Sequence, residues 1–103
     1  MAGFAACAQF RPHAAYRYTV EDSVYVAPDA VGHGVGGGLL DALLHGCANA
    51  GVREVIAVIV DADGAASLRL HRNRGFVDAG RLTDVGLKHG RWLDTVLLQR
   101  SLR

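Results

Sequence analysis

The period of apolar residues changes along this chain, and each change marks an element. Gly3 to Phe10 and Tyr18 to Ala27 read as strands, separated by a turn around Pro12. The second run alternates imperfectly, as a strand does when both faces are partly covered, and Pro28 closes it. From Val35 to Ala50 the residues Val35, Leu39, Leu40, Leu43, Leu44 and Cys47 fall at helical spacing, and Gly51 stands where a C-terminal glycine cap belongs. Val52 to Val60 is a continuous β-branched run, the pattern of a buried parallel strand. Asp63 is placed to cap a second helix from about Ala65 to Arg74, which Gly75 ends. Phe76 to Leu87 and Trp92 to Arg100 then form an antiparallel pair across the turn Lys88-His89-Gly90-Arg91. The predicted order is β-β-α-β-α-β-β, a mixed α/β fold with no repeat, linker or low-complexity segment.

Composition narrows the class. With 103 residues, half of them hydrophobic and a fifth charged, the chain is one globular domain at most. A net charge of +1 gives no electrostatic case for nucleic acid or an anionic membrane. The apolar run Val55 to Val60 is too short to span a bilayer, and no signal peptide is evident, so a cytoplasmic location is expected. Cys7 and Cys47 lack C-x-x-C spacing and read as two buried free thiols. The five histidines are scattered without metal-ligand spacing, and no metal site is expected.

The most informative segment joins the second strand to the first helix, Val24-Tyr25-Val26-Ala27-Pro28-Asp29-Ala30-Val31-Gly32-His33-Gly34-Val35-Gly36-Gly37-Gly38. Glycines between a strand end and a helix start let backbone N–H groups approach an anion, and the helix terminus adds partial positive charge. A P-loop is excluded because no lysine follows the glycines. The dinucleotide fingerprint is formally met by Gly32, Gly34 and Gly37, yet residues intervene after the strand, and Glu54 opens the next strand where a ribose-binding acid should close it. A third design, the acyl-coenzyme A loop x-P-x-x-[RQ]-x-x-G-x-G-x-x-L-L, is matched at every position except Val31.

That loop, the run Tyr16 to Val26, the segment Ile56 to Ile59 with Ala65 to His71 and Gly75-Phe76, and the run Gly86 to Asp94 together resemble the GNAT superfamily of N-acetyltransferases, and within it the phosphinothricin acetyltransferase branch. The resemblance covers nearly the whole chain. A domain of this family carries two further strands and its first helices before the segment that opens here, so the expectation is an N-terminally truncated, cofactor-binding portion of an acyl-CoA N-acyltransferase fold.

The resemblance implies acetyl-coenzyme A as acyl donor, a small amino-acid-like primary amine as acceptor, and direct transfer between them. It implies that Glu21 acts as general base and that His71 lies near the thioester. Main-chain N–H groups of the Val24–Val26 strand would polarise the thioester carbonyl, and those of His33, Gly34, Val35, Gly36, Gly37 and Gly38, with Gly32 beside them, would hold the diphosphate. Val31 replaces an arginine or glutamine; losing a charge-assisted hydrogen bond of roughly 1.5–3 kcal/mol weakens binding about tenfold to a hundredfold or somewhat more. Gly64 replaces an asparagine whose amide contacts the cofactor arm, while Ser67 offers a hydroxyl at the helix start. Up to four glycines inside the first helix, Gly36, Gly37, Gly38 and Gly46, each cost about 1 kcal/mol relative to alanine. Arg11, Tyr16, Lys88, Arg91 and Trp92 could frame a site for an anionic amine; solvated turn charges and a strand-anchoring tryptophan are the plainer account.

Two rival readings remain. One is a non-catalytic remnant that self-associates and binds coenzyme A weakly or not at all, and the other is a dinucleotide-binding module. An apolar strand edge left open in a truncated domain predicts a homodimer.

Overall fold

The computed structural model describes residues 2–62 and 64–103, so the proposed cap at Asp63 lies outside the described residues. The strands are β1 (Gly3–Gln9), β2 (Thr19–Val26), β3 (Glu54–Val60), β4 (Val77–Lys88) and β5 (Arg91–Ser101). The helices are α1 (Val35–Asn49) and α2 (Ala65–Arg72), and short 3-10 turns precede β2 and follow it at Pro28–Ala30. The order agrees with the sequence pattern. The strands form one sheet in the order β1-β2-β3-β5-β4, with β2 and β3 parallel and the other pairs antiparallel.

Both helices lie on the same face. Val20, Val55, Ala57, Ile59, Val96 and Leu98 project from the strands into a core closed by Leu40, Leu44 and Cys47 of α1 and by Phe76, with Leu68 and Leu70 of α2 packed against it. A Cβ on Gly36 would sit 3.5 Å from Leu70 Cδ2, and Arg74 pairs with Asp41 at 2.9 Å, so the helices run side by side. Left-handed Gly51 (φ +84°) and Gly75 (φ +83°) end the two helices. Residues His89 (φ +52°) and Gly90 (φ +73°) alone make the β4–β5 turn, a tighter hairpin than the sequence suggested. The sequence also gave no sign of two register shifts in that hairpin, between Asp78 and Gly80 and between Leu82 and Gly86.

The opposite face of the sheet is bare. Strand alternation puts Glu21, Ser23 and Tyr25 of β2 and Val58 and Val60 of β3 there; the two valines are 42% and 45% exposed. The continuous apolar run of β3 suggested burial on both faces, and only the helix-facing half is buried. The cysteine expectation also needs correction. Cys47 is buried, but Cys7 is exposed on the edge strand, with its sulfur 3.9 Å from that of Cys47. Burial, with Cys7 nearby, pushes the Cys47 thiol up to about 11, so it stays protonated at neutral pH.

Candidate functional site

The site begins where the sheet comes apart. β2 and β3 pair only at Thr19–Glu54, Val20–Val55 and Glu21–Ile56, and beyond Glu21 the strands diverge. Backbone direction alternates along a strand. The N–H of Ala27 donates to Ala2 O (2.6 Å) and the Thr19 carbonyl accepts from Phe10 (3.1 Å), so odd-numbered peptide groups of β2 face β1. The Asp22 N–H serves the last pairing, at Ile56, and Val24 and Val26 aim theirs at the side β3 has left. These are the donors expected to face the thioester.

Two cavities meet at this gap. One, of about 290 Å³, lies between the helix starts and is lined by Val24, Val26, Val31, Gly36, Ser67 and Leu70, among others. The second, of about 220 Å³, includes Glu21, Ser23 and Val58 from the bare face and Asp22, Ala57 and His71 from the helix face. Val24 and Ser67 line both. The gap thus opens to both sides of the sheet.

The glycine loop adds donors at the edge of the first cavity. Gly32 (φ +88°) and the helix N-cap Gly34 (φ +75°) occupy left-handed conformations that a side chain would strain. Val35, Gly36 and Gly37 begin α1, and first-turn N–H groups have no helical acceptor. The ends of the proposed cradle contribute less than expected. His33 N–H donates to Ala30 O (3.3 Å), and Gly38 N–H makes the helical bond to Gly34 O (3.1 Å). Val31 lies at the mouth, 63% exposed. Gly36 is closely packed, since a Cβ would come 3.2 Å from Val26 Cγ2. Gly64 is more constrained: a Cβ there would collide with the Val60 carbonyl and with Ile59 Cγ2.

A buried pair forms the floor of the gap. His71 Nε2 lies 2.7 Å from Asp22 Oδ2, and its Nδ1 lies 2.7 Å from the Ser67 carbonyl oxygen. Both residues are buried, and Phe76 meets the imidazole edge-on at 4.8 Å. A carbonyl only accepts, so Nδ1 carries a proton; a carboxylate only accepts, so Nε2 carries one too. Burial opposes that charge, but the Asp22 carboxylate and Ser67 carbonyl outweigh it and hold the His71 pKa above the usual histidine value. Asp22 Oδ1 is buried with no hydrogen-bond partner among the described residues.

The structure brings Glu21, His71, Ser67, Val24 and Val26 to one gap. It does not assemble the expected amine frame. Arg11 and Tyr16 precede β2 at the end where Thr19 pairs with Glu54, whereas Lys88, Arg91 and Trp92 lie beyond Thr95, which pairs with Val60. The two groups stand about 20 Å or more apart along the strands, and none lines the cavity holding Glu21. Arg11 instead covers the Phe10 ring at 4.1 Å. Asp22 was missed by sequence reasoning. Its signal was a lone acid in register with Val20, Val24 and Val26, the inward positions of a strand.

Comparison with known proteins gives this geometry its context. Residues 1–76 match the acetyltransferase (GNAT) family. The chain is 53% identical over 100 residues to a phosphinothricin N-acetyltransferase of Alcaligenes faecalis, a match covering 97% of this chain and 51% of that protein. It is 42% identical to an L-methionine sulfoximine/L-methionine sulfone acetyltransferase of Pseudomonas aeruginosa, covering 97% of this chain and 58% of that protein. Among solved structures, a GNAT superfamily phosphinothricin acetyltransferase from Sinorhizobium meliloti, in complex with acetyl-CoA, superposes with a TM-score of 0.89 at 46% identity, covering 96% of this chain and 53% of that one. An N-acetyltransferase from Staphylococcus aureus superposes with a TM-score of 0.94 at 40% identity, covering 98% and 61%. The chain spans about half the length of the curated relatives it matches.

Proposed function

Because this chain belongs to the acetyltransferase (GNAT) family, we propose that it holds acetyl-CoA and directs its acetyl group to the primary amine of a small amino-acid-like molecule. The observation that carries this reading is the gap between β2 and β3, entered from both faces and edged by main-chain donors without a strand partner. A thioester entering beside Val24 and Val26 finds N–H groups for its carbonyl oxygen. The N–H groups of Val35, Gly36 and Gly37 and the α1 dipole suit a diphosphate. Relatives named for phosphinothricin and for methionine sulfoximine support the acceptor class.

Glu21 faces the gap from the bare side and would accept the amine proton, directly or through water. His71 on the helix side, both of its N–H groups engaged by Asp22 and the Ser67 carbonyl, would place positive charge at the floor of the gap. The departing sulfur would take a proton from solvent as Glu21 returns the amine proton to solvent, so the net proton count is unchanged. These residues act as the cofactor-binding portion of one domain, in the cytoplasm where acetyl-CoA and reduced thiols are found.

Calorimetric titration tests the donor, with acetyl-CoA expected to bind and NAD not. Release of free thiol from acetyl-CoA in the presence of phosphinothricin or methionine sulfoximine tests the transfer. Binding of acetyl-CoA without thiol release from any small amino-acid-like amine would support the non-catalytic reading, and binding of NAD alone would revive the dinucleotide one.

A further inference from the structure

We propose that Asp22 is a positioning residue for acetyl transfer: it holds His71 as a cation at the floor of the gap and ties α2 to β2 where the pairing of β2 with β3 ends. The proposal rests on the reading above, but its first test does not need activity. Asp22 occupies an inward slot between Val20 and Val24 that the strand pattern reserves for apolar side chains. A carboxylate in such a layer persists only when paired. Oδ2 meets His71 Nε2 at 2.7 Å and Oδ1 has no hydrogen-bond partner, so among the described residues His71 alone supplies side-chain hydrogen bonding to this charge.

The imidazole is held on its other side by the Ser67 carbonyl and by the ring of Phe76. Asp22 comes one residue after the last β2–β3 pair, and His71 comes from α2. Their bond therefore spans the two walls at the point where they part. The other charged or titratable groups around the pair are few. Arg74, after α2, opposes the histidine charge and is itself paired with Asp41. Cys47 of α1 remains a thiol, held there by burial and by Cys7 of β1, the partner of Asp22 in the ladder, with a small contribution from Asp22. Glu21 lines the same cavity from the opposite face of β2, while β3 and β5 present apolar Ala57, Ile59, Val96 and Leu98 to the core.

Asp22→Asn separates charge from shape. Its amide can donate to Nε2 while Nδ1–H stays on the Ser67 carbonyl, leaving a neutral His71 in the same place. Nitrogen-15 NMR of the imidazole in the unsubstituted protein should show both ring nitrogens protonated at about pH 7, above the usual histidine range. In Asp22→Asn the titration midpoint should fall by more than about one pH unit. The alkaline limb of kcat should move down with it, while KM for acetyl-CoA changes less than about twofold. A neutral His71 in the unsubstituted protein would overturn the proposal even if the variant did not fold. So would an unchanged midpoint in a folded variant. Absence of any acetyl transfer would instead sink the functional reading and leave the NMR result to decide this one.

Discussion

Glu21 and Asp22 are neighbours in the chain, yet their carboxylates face opposite sides of one gap in the sheet. Strand alternation alone produces this separation. Glu21 stands on the bare face, half-buried, beside the last paired residue of β3. Asp22 is sealed beneath α2 against His71. One strand thereby offers a proton acceptor on one side and a proton-holding pair on the other, in environments different enough to keep the two roles apart.

Glu21→Gln should lower kcat about a hundredfold or more, within the usual range for a lost general base, with little change in acetyl-CoA affinity. Steady-state kinetics alongside calorimetry checks both halves. Unchanged turnover removes Glu21 from the mechanism.

Restoring charge at the loop should behave differently from restoring an amide at α2. Val31 is exposed at the cavity mouth, so Val31→Arg has room and should tighten acetyl-CoA binding about tenfold to a hundredfold. Gly64→Asn has no such room against the Val60 carbonyl and should destabilise the fold by about 1–3 kcal/mol. Dissociation constants and urea midpoints for the two variants test the contrast. Equal gains in affinity would show that packing at Gly64 is looser than described.

Gly46 lies on the exposed side of α1, and apart from its own helix backbone and chain neighbours no described atom comes within 4 Å of where its Cβ would be. Gly46→Ala should therefore stabilise the protein by about 1 kcal/mol, raising Tm by about 5 °C. A melting curve decides it, and a lower Tm would mean that something occupies this side of the helix.

The bare face carries Phe4 stacked on Tyr25 at 5.5 Å, together with Val58 and Val60, and β1 is an edge strand beside it. Exposed apolar patches and open edges are seldom left in water. This chain on its own should sediment as a dimer or larger at micromolar concentration. A folded monomer would contradict the expectation.

Element order, the glycine loop and the family were legible because each has a local signature: a change of period, a run of glycines, a motif in order. Position across the sheet has no such signature. Arg11 and Tyr16 were grouped with Lys88 and Trp92 by residue type, and only the strand order shows that they lie at different ends. Asp22 was hidden for a related reason. Its partner is 49 residues away on a helix, and nothing near it in the chain marks it as buried. The glycine at position 64 looked like a lost donor, when the carbonyl of Val60 already fills the space a side chain would need.

The parting of β2 and β3 gives one strand two kinds of amide. Those of Glu21, Ser23 and Tyr25 point into the ladder with β1 and that of Asp22 into the last pairing with β3, whereas those of Val24 and Val26 point into an open gap. In deuterated solvent the two sets should separate residue by residue, a slow-fast alternation unusual in the interior of a sheet. A ligand seated between the strands would slow the fast set alone. β2 thus carries its own reporter of occupancy, readable without any chemistry taking place.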